Sequence, residues 1–199
     1  MSRQSRAPAV RLACLAVLAV LVSVAPAPAR AADEVGLYFD GRGEQPCAEL
    51  QQAYVALNLY LLLLAPSVSG GVAGWECTIG LSSNVLLLST TLAGNGLNVD
   101  SPPSFQVGIG GAPLPRANVV QLAQLSVFVT ATGPSPFFIY PYRTPSIPDT
   151  PVYAGPNGEP LVAMTPRSLA GGSVVAGVNL PECIRESATW SRIKKVYGN

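Results

Sequence analysis

Any chemistry in this 199-residue chain has to proceed without histidine, which the sequence lacks entirely. That absence removes the commonest general base, the Ser-His and Cys-His nucleophile pairs, and most catalytic zinc sites. Carboxylates remain. Two of them facing each other across a cleft are enough to hydrolyse a glycoside, one as acid and one as base or nucleophile, and the candidates are Asp40, Glu44, Glu49, Glu76 and Asp100. None of the 11 acidic residues stands in a paired motif, so they read first as ordinary surface charges. A small carbohydrate-active hydrolase using paired carboxylates is the alternative reading. Asp40-Gly41-Arg42-Gly43-Glu44 loosely suggests an oxygen-ligand calcium loop, but Arg42 occupies a ligand place, which favours a plain turn. The stretches GIGGAP and AGNG lack the helix and lysine of a phosphate-binding loop. No catalytic residue, metal or cofactor is assigned.

Binding chemistry has more material. Aromatic side chains form flat platforms for sugars or peptides, and Tyr38, Phe128, Tyr140 and Tyr142 are the candidate ligand-binding residues, with Tyr153 a further contributor. The competing reading is that these outward aromatics are covered by a loop or a terminus.

The first 31 residues carry Arg3, Arg6 and Arg11 ahead of the apolar run Leu12 to Ala25, and small residues in A-x-A spacing follow. This is the pattern of a secretory signal peptide, with cleavage after Ala31. A lipid anchor at Cys14 is rejected because the cysteine lies inside the apolar run. Loss of Arg3, Arg6, Arg11 and Arg30 leaves 8 of the 12 basic residues against 11 acidic ones, a net charge of −3. A nucleic-acid partner is therefore not expected. The predicted address is secreted, periplasmic or cell-surface, and the partner an unidentified protein or glycan of the envelope or medium.

Export implies an oxidising compartment, and the mature chain keeps Cys47, Cys77 and Cys183. In WECTIGL, Trp75, Cys77, Ile79 and Leu81 alternate onto one face, so Cys77 reads as a buried thiol. Cys47 and Cys183 lie beside Pro46 and Pro181 in turn-like contexts. Loop closure favours their pairing at about 5 kcal/mol, against about 3.5 kcal/mol for Cys47 with Cys77.

The elements that must position these groups are strands. The run YVALNLYLLLLA, residues 54 to 65, would be about 18 Å long as a helix, too short for a hydrocarbon core of about 30 Å. No transmembrane span is expected after leader removal. Its neighbours decide its type, because they alternate with a period of two. Val35, Leu37 and Phe39 share one face, as do Phe105, Val107 and Ile109, then Leu125, Val127 and Val129, and finally Val174, Ala176 and Val178. Turn signals separate them at Gly70-Gly71, Asn95-Gly96, Pro102-Pro103, Gly110-Gly111, Asn157-Gly158 and Gly171-Gly172. The prediction is all-β: one antiparallel β-sandwich over residues 32 to 186, jelly-roll or immunoglobulin-like, of nine or ten strands, with Tyr54 to Leu63 central.

Residues 133 to 160 carry eight prolines and read mostly as edge strand or surface chain, pinned by Phe137, Ile139 and Tyr153. The tail 187 to 199, SATWSRIKKVYGN, reads as a short helix with Trp190, Ile193 and Tyr197 at helical spacing and Lys194 in its last turn. It either docks on the sandwich or serves as a recognised export or attachment tail.

The succession GVAGWECTIGLSSNVLLLSTTLAGNGLN, PSFQVGIG and VVQLAQLSVFVT resembles the cohesin and carbohydrate-binding-module group of extracellular β-sandwiches. The resemblance rests on Gly74 to Leu81, Asn84 to Leu87 and Leu122 to Val129. It implies a jelly-roll-like sandwich and assigns no binding residue; the leader, the strand rhythm and the missing histidine together make the expected function a secreted non-enzymatic binding or structural module, contacting glycan or envelope protein.

Overall fold

The computed structural model describes residues 33 to 183. The expected leader and the tail helix with Trp190, Ile193, Lys194 and Tyr197 lie outside the described residues. Within them the alternating segments become strands: β1 (Glu34–Tyr38), β2 (Cys47–Ala48), β3 (Val55–Leu64), β4 (Gly74–Leu81), β5 (Val85–Leu92), β6 (Gly96–Asn98), β7 (Ser104–Ile109), β8 (Val119–Val129), β9 (Ser135–Tyr140), β10 (Val152–Ala154), β11 (Leu161–Ala163), β12 (Thr165–Pro166) and β13 (Val174–Val178). The surplus over nine or ten is made of two- and three-residue pieces, too short to show any period.

The front sheet has the order β12-β1-β3-β8-β5. The back sheet runs β11-β10-β4-β9-β13-β2, with β7 also paired to β4 and β6 to β7. Most pairs are antiparallel, as expected, but β1 with β12 and β13 with β2 are parallel. Both parallel partners are two-residue strands at a sheet margin.

The core lies where the inward rows of the two sheets meet. Leu59, Leu61 and Leu63 of β3, Leu125, Val127 and Val129 of β8, Trp75, Cys77 and Ile79 of β4, and Phe105 and Val107 of β7 are all buried. Trp75 packs on Phe105 with ring centroids 5.3 Å apart. Each such side chain contributes about 1.5–3 kcal/mol on leaving water. Cys77 is among them, unpaired and buried. Burial pushes its thiol far up from the ordinary range, and the adjacent Glu76 carboxylate adds to that. It is an inert hydrophobe.

β3 is central, as predicted, but Tyr54 is not part of it. Tyr54 has φ +61° and is 73% exposed, so it turns the chain into the strand. The excess leucines form a second, smaller cluster on the outer face, where Leu62 and Leu64 pack with Tyr38 against Tyr60 and Val119. Tyr38 leans across Gly36, where a Cβ would stand 2.7 Å from its ring.

Two other expectations need correction. The register of β13 against β9 shifts between Val174 and Ala176, so Val175 joins Ala176 and Val178 in the core in place of Val174. A bulge makes two neighbouring residues share a face. The proline-rich segment also contains a central strand, since β9 lies between β4 and β13. Pro136 is tolerated there because Gly177, its partner on β13, turns its N–H to the Pro46 carbonyl on the other side. On its opposite edge, the β4 pairing has already ended at Leu81 with Phe137. Neither neighbour asks Pro136 for a donor.

Polar ties close the margins. Cys47 and Cys183 form a disulfide with Cα atoms 5.5 Å apart. Beside it, Asn179 at φ +52° accepts from the Leu50 N–H (2.8 Å) and donates to the carbonyls of Leu50 (3.0 Å) and Thr132 (2.8 Å). At the start of β1, the Asp33 carboxylate accepts from the Ser67 N–H (2.8 Å) and from the Tyr153 hydroxyl, joining three segments distant in sequence.

Candidate binding surface

The carboxylates act on their own backbone. Asp40 Oδ1 accepts from the N–H groups of Glu44 and Gln45, each at 3.1 Å, which makes the Asp40 to Glu44 segment a self-capped turn. Glu76, 5% exposed on β4, accepts from both the N–H and the hydroxyl of Ser146. Asp100, in the turn after β6, accepts from the Ser101 N–H (2.8 Å) and pairs with Arg143 at 3.3 Å. The Ser101 N–H, the Tyr142 hydroxyl and Arg143 together hold the Asp100 carboxyl below its ordinary range. Glu76 and Asp100 thus fasten one strap, the loop between β9 and β10, over the back sheet. Among the described residues no group of three or more Cys, Asp or Glu could hold a metal ion.

The four candidate aromatics do not converge. Tyr38 is buried in the outer-face cluster of the front sheet. Tyr142 is buried at the strap, with the Arg143 guanidinium 5.7 Å from its ring centre. Tyr140 is 45% exposed on the back sheet and stacks on Phe138 with centroids 5.7 Å apart. Only Phe128 belongs to a broader apolar surface. It is half-buried on the outer face of β8, opposite Ala56 of β3 and Leu86 of β5. The Tyr54 ring lies 6.3 Å from it.

Sequence reasoning missed the rest of that surface. Leu86 and Leu88 of β5 are each more than half exposed; Leu97 of β6 and Val99 just beyond are exposed too, but with Gly108 and Gln106 on the outer side of the back sheet. The signal was present in Leu86-Leu87-Leu88, since a strand cannot turn three successive leucines inward. A second signal is the stretch 82 to 99, which has no charged residue.

Fold and surface together define a class: a two-sheet all-β sandwich with exposed apolar residues, Tyr54, Leu86 and Leu88, around Phe128 on the β5 side of the front sheet. No family model matches the chain, and no curated protein does. Solved structures similar to it include the sixth cohesin of Acetivibrio cellulolyticus scaffoldin B, in complex with a Cel5 dockerin mutant, at 11% identity over 74% of this chain and 97% of that one, with a TM-score of 0.49. They also include the third ScaB cohesin of R. flavefaciens, in complex with a group 1 dockerin, at 13% identity over 77% and 100%, with a TM-score of 0.47. A cohesin module from a Clostridium perfringens family 33 glycoside hydrolase matches at 9% identity over 67% and 96%, with a TM-score of 0.42. No helix among the described residues is long and apolar enough to cross a membrane.

Proposed function

We propose that this chain is a non-enzymatic binding module, exported by its leader and cleaved after Ala31, that grips a protein of the cell envelope or medium with the outer face around β5 and β8. One observation carries the reading: Tyr54 and Leu86, 73% and 53% exposed, flank Phe128 in a neutral apolar patch. Exposed apolar residues that adjoin one another mark interaction sites more than isolated ones do. Aliphatic leucines beside the rings suit a protein side-chain surface better than a sugar, which asks for hydrogen-bonding groups around a flat ring. The hydrolase alternative loses ground because Asp40, Glu76 and Asp100 serve as acceptors for loop backbone.

The test is cross-linking of purified mature protein to the envelope and medium fractions of the producing cells. A specific protein adduct is expected with wild type and with Leu161→Ser, a change at an exposed apolar residue on the back sheet. It should vanish with Phe128→Glu and Tyr54→Ser at unchanged melting temperature. An adduct indifferent to those two changes, or retention on a glycan array in place of a protein adduct, rejects the proposal.

A further inference from the structure

Five strand margins end the two sheets, and four of them are blunted. β12 and β2 are two residues long and contain or follow proline, β11 is three residues long and follows Pro160, and β6 has three residues. Short strands and proline are the usual protection against edge pairing. β5 has neither. It is eight residues long, closes the front sheet, and pairs with β8 alone. No proline or charge occurs in it.

The ladder shows which backbone groups face outward. Thr130 donates to the carbonyl of Asn84, opposite it, and Ala93 donates to that of Leu122. Hydrogen-bonded pairs alternate along an antiparallel ladder, so Leu86 before the bulge and Ser89 and Thr91 after it turn their backbone toward β8. The register shift lies between Leu87 and Ser89 and leaves Leu88 as the extra residue. Leu87, Thr90 and Leu92 therefore present their N–H and C=O groups to the open side, as Val85 does its C=O, while the Val85 N–H donates to the Ser82 carbonyl at 3.0 Å. The spacing of this outward set is uneven: two residues separate Leu87 from Thr90, where a regular strand would have one.

We infer that the partner of this edge is β5 of a second copy of the same chain, run antiparallel about a two-fold axis between Leu88 and Ser89. A regular strand falls out of step across the bulge. A second copy does not, because Leu87 meets Thr90, the Val85 carbonyl meets the Leu92 N–H, and the extra residue in one strand is matched by the extra residue in the other. The pairing is isologous, closes on itself, and joins two five-stranded sheets with their core faces on the same side. Charge does not oppose it, since residues 82 to 99 are neutral and no like charges meet across the dyad. Thr90 Oγ1, on the same edge, is shut from water and has no hydrogen-bond partner among the described residues. It borders a groove of about 260 Å³ with Leu92, Asn98 and Phe105, beside the open backbone. The inference is independent of whatever protein occupies the outer face.

Sedimentation of the mature protein across a concentration series into the millimolar range is the test, combined with residue-resolved amide exchange. A monomer–dimer equilibrium is expected, with the Leu87 and Thr90 amides gaining protection as dimer forms. Leu88→Lys sets two like charges beside the dyad and should weaken association several-fold. Leu97→Lys, at an exposed residue of β6 on the outer side of the back sheet, should leave it unchanged. Thr90→Pro removes an outward donor without touching the β8 ladder and should abolish association; if it fails to fold, the lysine pair and the wild-type exchange pattern still decide. A protein that stays monomeric throughout, a dimer whose Leu87 and Thr90 amides exchange as in the monomer, or equal effects of the two lysine variants would overturn the inference.

Discussion

Asn179 is one side chain holding three segments together, and its replacement has a magnitude that can be worked out. Its amide makes three hydrogen bonds, two to Leu50 and one to Thr132, from a backbone at φ +52°. Each bond contributes about 0.5–1.5 kcal/mol, and the more exposed one to Thr132 belongs at the low end, for a total of about 2–3 kcal/mol. Alanine also meets the left-handed backbone penalty of about 1 kcal/mol, which asparagine and glycine tolerate better. Asn179→Ala should therefore cost about 3–4 kcal/mol and Asn179→Gly about 2–3 kcal/mol. Urea unfolding of the disulfide-intact mature protein reads this as a lowered midpoint at constant slope. The order of the two variants is the sharper measurement. If alanine costs less than about 1 kcal/mol, or glycine costs more than alanine, the network or the backbone argument is wrong.

Two further outcomes follow from the margins of the sandwich. The Cys47–Cys183 bond spans 136 residues, so Cys183→Ser should lower stability by up to about 5 kcal/mol through restored freedom of the unfolded chain; a loss below about 1 kcal/mol under non-reducing conditions would contradict this. Burial, followed by the hydrogen bond to Asp33, holds the Tyr153 hydroxyl above its ordinary pKa of 10.0. Its contribution to stability is thus fully present below the unfolded value and is lost as pH rises through the folded one. Tyr153→Phe should be less stable than wild type at neutral pH and should lose less on passing into the alkaline range; parallel stability curves for the two proteins would refute the assignment.

The sandwich was legible because alternation in β1, β7 and β8 is a property of consecutive residues, and so was the burial of Cys77 within Trp75-Cys77-Ile79. What escaped depends on residues far apart. Pro136 in a central strand is intelligible only once Gly177 is known to bond Pro46 on its other side. Glu76 and Asp100 read as ordinary surface charges, with an acid–base pair as the alternative, and only the fold shows that they bind Ser146, Ser101 and Arg143. The candidate aromatics do not converge for the same reason, since Tyr38 and Phe128 project from one sheet while Tyr140 lies on the other and Tyr142 in the loop that follows it.

By itself the sequence determined the layered β architecture, the absence of histidine chemistry, the neutral stretch from 82 to 99 and the three cysteines of the expected mature chain, because these are matters of composition and of a two-residue period. Tertiary structure alone decided that β5 ends a sheet, that its bulge leaves Leu87 and Thr90 facing outward, and that Tyr54 and Leu86 stay exposed beside Phe128. The physical reason is that strand order and edge exposure are set by pairing between distant segments, and a local pattern of polarity is the same for a strand at the centre of a sheet as for one at its rim.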